Sequence, residues 1–266
     1  MQEIRAAVKA NSPLIHCITN PISINQCANA ILAVGARPMM AEHPDEVAEI
    51  TQTAQALLCN LGNITDARMQ SIQIASATAA IKNIPVVLDL VGIACSALRR
   101  SFAQTLLEKH IPKIIKGNAS EIHALYDTNY KSAGVDADTT LDFKKTANIA
   151  ARLAKKYGTV LLVSGKVDII TDGKTVACVY NGTPQLATVT GTGCMLGALC
   201  ACYLSSADAF SAAKTACIVL NISGQLAETS FGSGSFMLKL MDKINSLTDE
   251  DIDKHIKLEV YELEKL

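Results

Sequence analysis

Short apolar runs of four to six residues alternate along this chain with longer stretches whose apolar positions recur at helical spacing. The runs predict strands over Leu14–Thr19, Arg37–Met40, Ala56–Asn60, Pro85–Asp89, Lys113–Lys116 and Thr159–Ser164. Between them, helices are predicted over Ile22–Val34, Pro44–Thr53, Thr65–Asn83, Cys95–His110, Ala119–Tyr126 and Thr140–Tyr157. Gly35 follows one of these, and Thr65 and Asn118 stand where N-caps belong. Strands that are apolar throughout and separated by helices imply an α/β fold, with a mostly parallel sheet covered on both faces.

After Ser164 the pattern changes. Val167–Thr171 and Thr175–Tyr180 flank Asp172-Gly173, a hairpin signal. From Gly193 to about Ser246 the chain is Ala-rich and helical in pattern. Asp127–Asp138 is the one long polar interruption and reads as a surface loop, so residues 1–266 are expected to form a single domain.

Composition sharpens this picture. Hydrophobic residues make up 49% of the 266, charged residues 18% and aromatics only 4%, with no Trp, so the core must be built from small aliphatic side chains. A net charge of −1 without any Lys/Arg cluster argues against a nucleic-acid partner. The N-terminal residues lack a signal-peptide stretch, and the most apolar run, Met195–Leu204, is shorter than the roughly 20 residues a membrane span needs. Nine cysteines, odd in number and without C-x-x-C spacing, read as reduced core residues of a cytoplasmic protein.

Three segments carry candidate chemistry. In Thr190-Gly191-Thr192-Gly193-Cys194-Met195, small residues open an apolar helix, which lets backbone N–H groups converge on an anion. The same turn places a thiol in the helix's first turn, a position that favours thiolate. A tight turn before a core helix is the plain alternative, and the motif alone names no reaction. In Asn118-Ala119-Ser120-Glu121, an N-cap and its capping-box partner suffice as a structural explanation. Yet Lys116, Asn118 and Glu121 all fall at the carboxyl end of a strand, where open α/β sheets gather ligands. Asp89 likewise closes an apolar strand; with Glu121 it could share a hydrated magnesium, or it could simply cap a loop.

Taken together, these segments resemble the hydroxyethylthiazole kinase family of the ribokinase-like superfamily. The matching stretches are Pro13–Asn20, Asn25–Asn29, Gly35–Met40, Asp89–Gly92, Lys116–Glu121, Val163–Gly165 and Gly191–Cys194, spread over nearly the whole chain. The resemblance implies a three-layer ribokinase-like fold without the lid of the sugar kinases, and a homotrimer with active sites between subunits. It implies that ATP and Mg²⁺ are used to phosphorylate hydroxyethylthiazole. Met40, Asn25 and Gly191 would then bind the thiazole, and Lys116, Asn118 and Ser164 the nucleotide. Asp89 and Glu121 would serve the metal. Gly191, Thr192 and Gly193 would stabilise the transferring phosphoryl group, with Cys194 as the base or as the group that orients the hydroxyl.

Three departures from the family pattern stand out. Leu90 replaces a proline after Asp89, Ser233 replaces another in Gly232–Phe236, and Lys116 replaces an arginine, keeping the charge but losing the planar fork. Of the remaining candidates, Thr19 and Asn20 are expected to line the site. His16, Cys17, His110 and His123 are read as packing residues, and His43 as a rim or surface residue. Rival readings are a hydroxymethylpyrimidine kinase, a nucleotide-repair dehydratase of the same fold, which would need an aspartate at position 194, and a non-enzymatic thiamine-precursor binder.

Overall fold

The computed structural model describes residues 1–132 and 142–263. In chain order its elements are α1 (Gln2–Asn11), β1 (Leu14–Ile18), α2 (Ile24–Ala33), β2 (Arg37–Met39), α3 (Val47–Thr53), β3 (Ala56–Asn60) and α4 (Asp66–Lys82). They continue with β4 (Val86–Asp89), α5 (Ala97–Lys109), β5 (Ile114–Asn118), α6 (Ala119–Tyr126), α7 (Phe143–Tyr157) and β6 (Val160–Ser164). The hairpin β7 (Asp168–Thr171) and β8 (Thr175–Val179) follows, then a 3-10 turn at Pro184–Thr188. The chain closes through α8 (Thr192–Leu204), α9 (Ala209–Leu226), α10 (Ser233–Ser246), α11 (Asp249–His255) and β9 (Leu258–Glu262). The start of the helix predicted from Thr140, and part of the loop predicted over Asp127–Asp138, lie outside the described residues.

The nine strands form one sheet in the order β2-β1-β3-β4-β5-β6-β7-β8-β9. Pairing is parallel from β2 to β6 and antiparallel from β6 to β9. Alternate side chains of the central strands feed two cores. Leu58, Val87, Ile114 and Leu162 meet α2, α8, α9 and α10 on one face. Leu57, Leu88, Ile115 and Leu161 meet α4, α5 and α7 on the other. Each fully buried aliphatic side chain contributes about 1.5–3 kcal/mol, so a strand such as β3, buried at all five positions, can sit only in the middle of the sheet.

Local chemistry fixes the ends of the elements. Thr65 Oγ1 accepts from Arg68 N, and Asn118 with Glu121 completes a capping box on α6. A cap of this kind is worth about 1 kcal/mol. Gly35, at φ +90°, releases the chain from α2 into β2. The Asp172-Gly173 signal does produce the β7–β8 hairpin, with Gly173 at φ +88°. Three elements were not foreseen. The polar helix α1 is seated by Arg5, which bridges to Asp249 and the Leu247 carbonyl. The seven-residue α11 is held by a capping box between Thr248 and Asp251. The charged, half-exposed β9 gains order only by pairing with β8.

Candidate functional site

The parallel register brings polar residues at the strand ends into one row. Asn60 is the partner of Asp89, and Asp89 is the partner of Lys116. Their side chains share a face and bond in sequence. Asn60 Nδ2 donates to Asp89 Oδ2 at 3.1 Å, and Lys116 Nζ donates to both oxygens of Asp89 at 3.0 and 3.1 Å. Asp89 is wholly buried and Lys116 is 3% exposed. Burial pushes the Asp89 carboxyl up, an effect that the Lys116 ammonium partly offsets. Burial also opposes the ammonium, but Asp89, Cys194 and Glu121 outweigh it and hold Lys116 above the ordinary lysine value. Helix α8 passes close over this pair because Gly197 has no side chain, and a Cβ there would sit 3.2 Å from Asp89 Oδ2.

The glycine turn lies directly above. Gly191 takes φ +92°, and a Cβ on it would lie 2.9 Å from Ser23 Cβ, so both conformation and space require glycine. It is the N-cap of α8, and no side chain caps that helix. The amides of the first turn therefore have no partner inside the helix. Thr192 Oγ1 donates to Leu186 O and ties the turn to the 3-10 segment. Cys194, half-buried in the first turn, receives the amides of Asn20 and Asn60, each with Nδ2 3.3 Å from Sγ. The orientation of both amides is fixed. Asn60 Oδ1 accepts from Gly62 N, and Asn20 Oδ1 accepts from Ser23 N and Oγ.

At the end of β5, Asn118 Oδ1 accepts from Glu121 N, while the Glu121 carboxylate accepts from Gly92 N and Asn118 N, both at 2.7 Å. Burial pushes the Glu121 carboxyl up to about 7, with Lys116 and the two amides pulling against it and Asp89 adding to it. Ser164 is the register partner of Asn118.

A cavity of about 600 Å³ opens over these groups, lined by Asn20, Ser23, Arg99, Lys116, Asn118, Glu121, Ser164 and the Thr190–Cys194 turn. A second cavity of about 620 Å³ runs on from it past Ser164, Leu186, Thr192 and Gly193 towards Asp168 and Asn221. The volume suits a nucleotide along one arm and a small alcohol at the turn.

The structure thus gathers Lys116, Asn118, Glu121, Ser164, Gly191, Thr192, Gly193 and Cys194 at one cleft, with Asn20 as expected. Asn25 and Met40 do not line either cavity of the single chain. Asn25 is exposed and bonds Asn29, and Met40 packs against the core beside α2. Asp89 does not line the cavity of the single chain: it lies beneath the cavity wall, bonded to Lys116, on the side of the sheet that α8 covers. Thr19 is also buried rather than lining the cleft. His16 and His123 are structural, bonded to Thr51 and Thr146. Asn60 and Arg99 were missed. Asn60 ends a predicted strand one register step from Asp89, a signal that was available; Arg99 is one of two adjacent arginines on a helix, with nothing in sequence to tell them apart.

Among the described residues no cluster of three or more His, Cys, Asp or Glu side chains could cage a metal. The donor set suits a hydrated ion instead. Glu121 presents one oriented carboxylate at the cavity wall, and magnesium keeps most of its waters and takes only one or two protein carboxylates beside phosphate oxygens.

A family model described as the hydroxyethylthiazole kinase family matches residues 5–250. Hydroxyethylthiazole kinase 2 of Clostridium botulinum (strain 657 / Type Ba4) is 44% identical over 264 residues, covering 97% of this chain and 100% of the relative. Hydroxyethylthiazole kinase of Finegoldia magna is 38% identical over 256 residues, covering 96% and 95%. Among solved structures, a hydroxyethylthiazole kinase from Pyrococcus horikoshii OT3 superposes with TM-score 0.89 at 30% identity, covering 97% of this chain and 98% of that one. A Staphylococcus aureus pyridoxal kinase bound to pyridoxal superposes at 0.66 with 14% identity, a likeness of ribokinase-like fold alone. The chain belongs to the hydroxyethylthiazole kinase family.

Proposed function

We propose that this chain transfers the γ-phosphoryl group of ATP to the primary hydroxyl of 4-methyl-5-(2-hydroxyethyl)thiazole. The observation that carries the reading is the uncapped, glycine-opened start of α8, facing a cleft with a buried lysine beneath it and a thiol in its first turn. Phosphoryl transfer asks for positioning and charge stabilisation more than covalent chemistry, and this arrangement offers both.

In this mechanism the thiazole hydroxyl lies against Cys194, and the γ-phosphorus of ATP approaches it in line. As charge spreads over the transferring oxygens, the amides of Thr192, Gly193 and Cys194 stabilise it, aided by the dipole of α8. Lys116 adds positive charge from below; Gly193 has no side chain, and a Cβ there would lie 3.5 Å from Nζ. Cys194 Sγ takes the hydroxyl proton as the new P–O bond forms and the bond from the γ-phosphorus to the bridging oxygen breaks, releasing ADP, while the amides of Asn20 and Asn60 hold the sulfur in place. Asp89 acts through Lys116, fixing the ammonium at the cleft. Ser164, which lines both cavities, and Asn118, which lines the first, would contact the nucleotide phosphates. Glu121 would hold a hydrated Mg²⁺, which when bound neutralises phosphate charge.

The same reading makes the active unit a single-domain protein assembled as a homotrimer, with sites shared between subunits. Two observations support it. Asn25 and Met40 do not line the cleft of their own chain, and apolar side chains stand exposed on the neighbouring elements, Leu32 (54%) on α2 and Met39 (37%) on β2. A neighbouring subunit could bury that surface and deliver Met40 to the thiazole, whose sulfur-containing ring suits a thioether. A cytoplasmic setting accords with nine unpaired cysteines. Among the described residues no helix is long and apolar enough to cross a membrane.

Initial rates of ADP release with ATP, Mg²⁺ and either the thiazole alcohol or hydroxymethylpyrimidine test this function. Release that depends on the thiazole is expected. Release that depends only on the pyrimidine, or on neither alcohol, would reject the reading.

A further inference from the structure

Two consecutive arginines on α5 have different fates. Arg100 is 8% exposed and spends its guanidinium on carbonyls: Nε donates to Ile93 O, Nη1 to Thr128 O, and Nη2 to Ala94 O and Tyr130 O. It ties the start of α5 to neighbouring loops and has nothing left for a ligand. Arg99 is half-buried on the cleft wall, and the one hydrogen bond of its guanidinium among the described residues is from Nη1 to Val91 O at 3.2 Å. It forms no ion pair among the described residues. A guanidinium has five N–H donors, so most of its capacity faces the cavity unspent.

The backbone beneath is shaped to receive it. Gly92 sits at φ +79°, and a Cβ there would lie 2.2 Å from Arg99 Nη1, so only glycine lets the guanidinium rest on this loop. The amide of Gly92 donates to Glu121 Oε1. One residue therefore sets both the cation and the carboxylate at this end of the cleft. Lys116, by contrast, has its ammonium committed to Asp89 at 3.0 and 3.1 Å.

We infer that Arg99 is a phosphate-binding residue of this cleft, gripping phosphate oxygens with the free fork of its guanidinium beside Glu121. The inference rests on the kinase reading for the source of that phosphate, which is either the nucleotide or the phosphorylated thiazole product. A planar fork suits phosphate better than an ammonium, so Arg99 supplies the bidentate grip that Lys116 cannot.

Calorimetric titration of the folded protein with Mg·ADP, and separately with the phosphorylated thiazole, tests it. Losing charged hydrogen bonds of this kind costs a factor of about 10–100 in affinity. Arg99→Met is expected to weaken Mg·ADP by that factor, Arg99→Lys by less, and neither is expected to change affinity for the unphosphorylated thiazole. Weakening confined to the phosphorylated thiazole would uphold the phosphate role and assign it to the product. Unchanged affinity for both phosphorylated ligands would overturn the inference. Should the Met variant fail to melt cooperatively, Arg99→Gln, which can still donate to Val91 O, is read by the same criteria. Wild-type ADP binding without thiazole turnover would sink the kinase reading but leave the Arg99 comparison valid.

Discussion

Replacing Lys116 by Met removes the cation from the most deeply buried ion pair in the described structure. Asp89 is fully enclosed, and with Nζ at 3.0 Å the Coulomb attraction is about 5 kcal/mol at an effective dielectric of 20. Most of that offsets the desolvation of two charges, so the net worth of the pair is small, but an orphaned carboxylate is costly. Removing one partner of a buried pair costs about 3–5 kcal/mol, a large share of a total near 5–15 kcal/mol. Only the Asn60 amide would remain on the Asp89 side chain. The carboxyl is already raised by burial, and losing its cation raises it further. A folded pKa above the unfolded value contributes stability that is present at low pH and lost as pH rises through the folded pKa. The gap to wild type should therefore narrow as pH falls, by up to about 1.4 kcal/mol per unit. Urea unfolding of both proteins at a series of pH values measures this. Adding Asp89→Asn should recover much of the loss at neutral pH. A deficit below about 1 kcal/mol, or one that does not change with pH, would refute the paired, buried geometry.

Cys194→Ala should fold normally, keep both Michaelis constants and lose about 10²–10⁴-fold in kcat, while Cys194→Asp retains more activity; an Ala variant at wild-type rate would leave Cys194 without a proton-transfer role. Wild type should show a rise of kcat/KM for ATP as pH passes about 7 and the Glu121 carboxyl ionises, and Glu121→Gln should abolish it. The same raised carboxyl costs wild type stability between its ordinary value of 4.5 and about 7, so wild type should lose stability relative to the Gln variant as pH rises through that window. A pH profile shared by both proteins would contradict that assignment. Met40→Ala should raise KM for the thiazole and leave KM for ATP alone; the reverse pattern would remove Met40 from the alcohol's pocket.

Much of this arrangement was legible before any coordinates. The strands β1 and β3 to β6 are largely apolar because both faces of the sheet are covered there, and most are closed at their ends by polar residues. Register explains what was missed. Asp89 closes an apolar strand and Glu121 stands in the first turn of the helix after another, and their sequences do not say which one faces the cavity and which lies under α8. That depends on Gly197 allowing α8 to descend onto Asp89. Asn60 became meaningful only once it was paired with Asp89 across β3 and β4. The polar helix α1 escaped notice because its anchor, Arg5, finds its partners near Asp249, at the far end of the chain.

Phosphoryl transfer is centred on the start of α8. A crystal structure with Mg²⁺, a non-hydrolysable ATP analogue and the thiazole alcohol tests it most directly. The γ-phosphate oxygens should lie within hydrogen-bond reach of the Thr192, Gly193 and Cys194 amides, with the alcohol oxygen beside Cys194 Sγ. A γ-phosphate bound away from that turn, or an alcohol oriented with its ring rather than its hydroxyl towards Cys194, would contradict it.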